Sequence, residues 1–98
     1  MDFEVVLASD GSEALDLFLQ NPFDLIFTDL RMPRMDGWTL AFHVKSKSPD
    51  TPVVLITGEE KSQIMSTLEG SCVDIAMFKP FRLEEIKKTI QVTLEKSD

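Results

Sequence analysis

Apolar residues gather in four short runs, Phe3–Ala8 (FEVVLA), Asp24–Asp29 (DLIFTD), Pro52–Thr57 (PVVLIT) and Asp74–Lys79 (DIAMFK). Each is too brief for a helix, carries β-branched or aromatic residues and is bounded by polar ones, so each predicts a strand. Between and after these runs the apolar period becomes helical. Ala14, Leu15, Phe18 and Leu19 fall on one face; Trp38, Ala41, Phe42 and Lys45 share another, with Leu40 and Val44 beside them. Ile64, Met65 and Leu68 mark a third helix within Glu59–Glu69, and Leu83, Ile86, Ile90 and Leu94 a fourth.

The breaks between elements carry turn and cap residues. Asp10 or Ser12 can cap the first helix, and the spacing from Asp10 to Glu13 suits a capping-box-like exchange. Asn21-Pro22 stops that helix, because the residue before a proline is pushed out of helical backbone. Pro33 and Asp36-Gly37 mark a loop before the second helix, which begins near Trp38; Ser48-Pro49-Asp50 ends it, and Gly70 is placed as a C-terminal cap of the third. Strand and helix thus alternate four times. Nearly all-apolar strands in that order predict an α/β fold with a parallel sheet covered on both faces.

With 98 residues there is room for one domain, residues 1–98. Seventeen acidic against ten basic residues give a formal charge of −7, which repels phosphate backbones and argues against a nucleic-acid surface. No signal-peptide pattern opens the chain, and no apolar run approaches the roughly 18 residues of a membrane span, so the expected location is the cytoplasm and not the membrane. The single cysteine, Cys72, has no internal partner and reads as a buried, inert thiol. His43 stands alone in mid-helix without a second ligand type at i+4, which favours a solvated or packing role over metal binding.

The strand ends hold the candidate chemistry. In an open parallel sheet, ligands bind outside the carboxyl ends of the strands. Three of the runs end there on polar groups: Asp29, Thr57 and Lys79. A carboxylate, a hydroxyl and an ammonium brought to one edge suit the binding or transfer of a phosphoryl group, with the Asp as acceptor and the other two on its oxygens. A lysine that ends an apolar strand also needs a counter-charge, and Asp29 is the obvious one. Arg31 and Arg34 flank the loop after Asp29, where an acidic partner is one reading and solvated charges are the usual case.

The run Asp29-Leu30-Arg31-Met32-Pro33-Arg34-Met35-Asp36-Gly37, with Thr57 ending the next strand and Lys79-Pro80-Phe81 after the last, resembles the receiver domain of two-component response regulators, from Phe3 to the end of the chain. The resemblance implies a CheY-like, flavodoxin-type fold and a phosphoacceptor function that is regulatory and not enzymatic. By it, Asp29 receives a phosphoryl group from a histidine kinase or a phosphotransfer protein, Thr57 and Lys79 hold the phosphoryl oxygens, and the Lys79-Pro80 bond is cis. It also implies Mg2+, with Asp29 and the backbone carbonyl of Arg31 among its ligands. A phosphatase of the haloacid dehalogenase type, by contrast, needs a second Asp two positions after the nucleophile, where Arg31 stands.

The chain departs from that family in two ways. Four βα units stand where the family has five, and the strand expected to be missing is the first, which is central in the family's 2-1-3-4-5 sheet and ends in the acidic pair that anchors magnesium. Asp2 precedes its strand and Asp10 is equally well used as a cap, so the metal site is expected to be incomplete and metal binding weak. Ala76 occupies the place of the inward-turning aromatic. The gap in the sheet has two solutions: the Phe3 strand moves in beside the Asp24 strand, or two chains exchange strands. Both leave apolar sheet uncovered and predict a homodimer. The alternative function is a receiver-like interaction module that is not phosphorylated.

Overall fold

The computed structural model describes residues 4–95. Four strands and four helices alternate: β1 (Val5–Ala8), α1 (Gly11–Gln20), β2 (Leu25–Asp29), α2 (Gly37–Lys47), β3 (Val53–Thr57), α3 (Lys61–Leu68), β4 (Ile75–Phe78) and α4 (Leu83–Glu95). β2, β3 and β4 start one residue later than their apolar runs, and Lys79 falls just past β4. The expected strand start at Phe3, and Asp2 before it, lie outside the described residues.

All strand pairs are parallel and the order is β1-β2-β3-β4. Of the two solutions to the gap, this chain takes the inward one. Val5 to Ala8 lie directly beside Leu25 to Thr28, and Asp24 and Glu4 clasp the start of the pair, with Asp24 N donating to Glu4 O at 2.7 Å and Glu4 N donating to Asp24 Oδ2 at 2.8 Å.

The period-two alternation of the strands sorts the core into two layers. On one face Ala8, Ile26, Val53 and Leu55 pack under Ala14 and Phe18 of α1, Leu40, Ala41 and Val44 of α2, and Ile64 of α3. On the other, Leu25, Phe27, Val54, Ile56 and Met77 meet Phe81 and one helix among the described residues, α4, through Ile86, Ile90 and Leu94. One helix does not span four strands. Val5 and Leu7, which share that face by register with Leu25 and Phe27, are left exposed, Leu7 at 65%.

Some face assignments need correction. The buried stripe of α2 is Gly37, Leu40, Ala41 and Val44, whereas Phe42 points out at 57% exposure, its ring in a T-shaped contact with His43. Leu19 of α1, Met65 of α3 and Leu83 of α4 are likewise exposed. Gly70 follows the end of α3 without the left-handed backbone of a glycine cap; no described glycine has positive φ. The capping side chain of α1 is Asp10, which accepts from Ser12 N at 3.0 Å and Glu13 N at 3.2 Å. Cys72 is half-buried.

Candidate functional site

Asp29 is fixed from behind. Leu25 to Thr28 are buried on both faces of the sheet, so the chain can turn toward solvent only where the apolar run stops. The Thr28 hydroxyl, fully buried, donates to the Asp29 carbonyl at 2.9 Å, and Leu30 N donates to Ile56 O at 3.3 Å. The loop then folds back on itself: Gly37 N donates to Leu30 O at 2.9 Å, and Asp36 caps α2 by accepting from Thr39 N at 2.8 Å. A Cβ on Gly37 would lie 2.6 Å from the Asp29 carbonyl oxygen and one on Gly11 2.5 Å from Met35 Cβ. Backbone approaches that close need glycine.

The other two polar strand ends come from β3 and β4. Thr57 is buried, and its hydroxyl accepts the Glu59 N–H at 3.0 Å, which leaves its own O–H free to donate. Lys79 N donates to Thr57 O at 2.9 Å, extending the ladder by one residue past β4. Its Nζ lies 3.3 Å from Asp29 Oδ1, and both side chains are partly exposed. The Lys79–Pro80 bond is cis. Asp29, Thr57 and Lys79 line one open pocket of about 260 Å³, together with Arg31, Gly58 and Glu59.

Two ion pairs frame this edge. Arg31 grips Glu59 in a fork, Nε to Oε2 at 2.7 Å and Nη2 to Oε1 at 3.2 Å. Donating hydrogen bonds to the Glu59 carboxylate raises the Arg31 guanidinium above its ordinary value. Arg34, at φ 68°, reaches the α1 cap with Nη2 2.5 Å from Asp10 Oδ2. That hydrogen bond, helped by the Glu13 N–H, holds the Asp10 carboxyl below the usual aspartate value. Asp10 is therefore engaged as a cap and a counter-ion, and it does not line the pocket.

Sequence reasoning places Asp29, Thr57 and Lys79 at one edge and leaves Arg31 and Arg34 either solvated or against an acidic partner; both arginines are paired, with Glu59 and Asp10. It missed Glu59 and Thr28. The signal for Glu59 was present: Arg31 and Glu59 carry opposite charges, each two residues beyond the end of neighbouring strands, an offset that sets them face to face across the crevice. In β4, Ala76 packs on the face of α1 to α3, and the aromatic on that face is Phe78, whose ring lies 5.8 Å from Lys61 Nζ.

Among the described residues no three His, Cys, Asp or Glu side chains come together to hold a metal ion. The charged group beside Asp29 is an ammonium. Of the two carboxylates that line the pocket, Glu59 is held by Arg31 and Asp29 faces Lys79, and magnesium, which needs octahedral oxygen, completes its shell with waters when protein donors are few.

A family model described as response regulator receiver domain matches residues 1–91. The response regulator MprA of Mycobacterium sp. (strain KMS) is 33% identical over 96 residues, which cover 97% of this chain and 41% of that protein. The sensor histidine kinase RcsC of Salmonella typhi is 30% identical over 100 residues, covering 98% of this chain and 10% of that protein. The chain thus spans about two fifths of the one and a tenth of the other. Among solved structures, the receiver domain of AraT from Geobacillus stearothermophilus superposes with a TM-score of 0.84 at 26% identity, over 98% of this chain and 95% of that one. The receiver domain of sensor histidine kinase PA1611 from Pseudomonas aeruginosa PAO1, solved with a magnesium ion coordinated in its active-site cleft, shares the fold at a TM-score of 0.84 and 16% identity, over 97% of this chain and 99% of that one. Receiver domains generally bind magnesium and interact with histidine kinases or phosphotransfer proteins. On the matched family model and these relatives, the chain belongs to the response regulator receiver domains, the phosphoacceptor modules of two-component signal transduction.

Proposed function

We propose that Asp29 is the phosphoacceptor of this receiver, taking a phosphoryl group from a histidine kinase or a phosphotransfer protein, with Thr57 and Lys79 on the phosphoryl oxygens. The observation that carries this reading is the meeting of Asp29 and Lys79, 3.3 Å apart, in the pocket that Thr57 also lines. An aspartate oxygen attacks phosphorus as the bond to the donor atom breaks, and the leaving group departs with the electron pair. Charge that develops on the phosphoryl oxygens faces the Lys79 ammonium and the Thr57 O–H. Magnesium, with Asp29 and the Arg31 carbonyl as its protein ligands, binds weakly in this reading, because the other carboxylate lining the pocket, Glu59, is held by Arg31.

In the same reading residues 1–98 act as one receiver unit in the cytoplasm, regulatory and not itself an enzyme. The unit pairs with a second copy through the open β1 end of the sheet, where Val5 and Leu7 are exposed.

Acetyl phosphate with magnesium, followed by intact mass, tests the acceptor. The expected product is an adduct of about 80 Da, lost in Asp29→Asn, whose rate still climbs at magnesium concentrations that saturate an intact receiver. An adduct that persists in Asp29→Asn sinks the assignment, and a rate that saturates like that of an intact receiver sinks the weak site.

A further inference from the structure

We propose that Arg31 is a second phosphoryl-binding cation held in reserve by Glu59: when Asp29 is phosphorylated, the guanidinium exchanges the Glu59 carboxylate for phosphoryl oxygens. The inference rests on the reading of Asp29 as acceptor and adds to it a competing internal anion.

The geometry of the pair carries the argument. Arg31 and Glu59 line the same pocket as Asp29 and Lys79, and the pair spans the mouth between the loops after β2 and β3. The contact is a planar fork on two carboxylate oxygens. A guanidinium grips phosphoryl oxygens with the same fork, so Glu59 occupies the donors a phosphoryl group would use. The Arg31 side chain is 80% exposed and that of Glu59 31%, so the pair is solvated and contributes little, and exchanging it costs little.

Charge gives the exchange its direction. In the resting pocket the carboxylates of Asp29 and Glu59 are balanced by Lys79 and Arg31. Phosphorylation replaces the single charge of Asp29 with a group carrying nearly two, and the pocket becomes net negative. Lys79 already stands against Asp29. Arg31 is the other cation lining the pocket, and a phosphoryl dianion is a stronger partner for it than one carboxylate. Glu59 keeps its backbone N–H on the Thr57 hydroxyl throughout, so the β3 end stays in place while the side chain lets go.

The test follows adduct formation with time at one fixed magnesium concentration, with acetyl phosphate as donor. Asp29 oxygen forms a bond to phosphorus as the bond from phosphorus to the acetate oxygen breaks, and acetate leaves with the electron pair. Glu59→Gln is expected to react roughly two- to fivefold faster, the range set by the strength of an exposed ion pair. Arg31→Gln is expected to be roughly tenfold slower, less than the loss of an enclosed oxyanion donor because the guanidinium is open to solvent. Arg31→Lys should recover part of that loss, charge without the fork. The Arg31→Gln, Glu59→Gln double variant separates competition from simple repulsion, since Glu59 can withhold Arg31 only when Arg31 is present. Its rate should match that of Arg31→Gln. A gain from Glu59→Gln that persists in the double variant, or unchanged rates in both single variants while Asp29 still takes up phosphate, overturns the exchange and leaves Asp29 as acceptor. No adduct in wild type or Glu59→Gln, or an adduct that survives Asp29→Asn, removes the acceptor reading and the exchange with it.

Discussion

Asp10 shows how one residue can be legible in type and illegible in partner. Its place before Ser12 and Glu13 marks it as a cap, and the cap is there. The ion pair to Arg34, twenty-four positions away, depends on a left-handed backbone at Arg34 that no local signal announces, since the residues that favour such backbone are Gly and Asn. Arg34 and the pocket-side Arg31 look alike in sequence. They differ because the loop turns between them, sending one guanidinium to α1 and the other to Glu59. The Arg34 bond lowers the carboxyl of Asp10 in the folded chain relative to its ordinary 3.8. Its contribution to stability is therefore complete above that value and fades as pH falls through the lower folded-state value. Asp10→Asn tests this, because Asn caps nearly as well and removes only the charge. Wild type should exceed the variant in stability at neutral pH, and the gap should close in acid; a gap that stays constant in urea melts across that range would assign the effect to the cap alone.

At the scale of elements, the strands were readable because burial on both faces makes them continuously apolar. Their starts were less so: Glu4, Asp24, Pro52 and Asp74 sit at the sheet margin, where polar backbone contacts replace the ladder. The α2 helix shows a different limit. Apolar residues lie on more than one side of it, so periodicity alone could not choose between Phe42 and Val44; the layer of β2 and β3 beneath chose Leu40, Ala41 and Val44. The start of α2 was read as an Asp-Gly turn, yet its glycine is required by contact, with Asp29 O and Leu55 Cδ1 filling the space of a Cβ. Gly37→Ala should thus push the helix off the acceptor strand at a cost of about 1–3 kcal/mol, the usual range for overpacking. A denaturant midpoint unchanged from wild type would show that α2 shifts freely, and that it does not hold the Asp29 loop in place.

At the scale of the whole molecule, the order of the sheet decides what is left uncovered. Sequence alone left two ways to close the gap, with strand exchange the less certain because sliding inward needs only a shorter crossover, and it could not decide between them, since strand pairing between distant runs also depends on which faces can be buried. The chain closes inward, with three helices on one face and α4 alone on the other. That helix covers β2, β3 and β4 through Ile86, Ile90 and Leu94, which are partly buried, while Leu7 stands 65% exposed and Val5 36% exposed beyond its reach. Both lie on β1, the edge strand, whose outer side has no strand beside it in the described sheet. Apolar side chains beside an open strand edge favour association with a second copy, which covers both at once. Sedimentation equilibrium of the 98-residue chain should then give a dimer at micromolar concentration. Leu7→Lys should move the chain to monomer by placing a charge in the contact, while Lys88→Glu, on the exposed side of α4, should leave both assembly and stability within about 0.5 kcal/mol of wild type. A folded wild-type monomer at that concentration would rule out the dimer. A dimer unaffected by Leu7→Lys would place the interface away from β1.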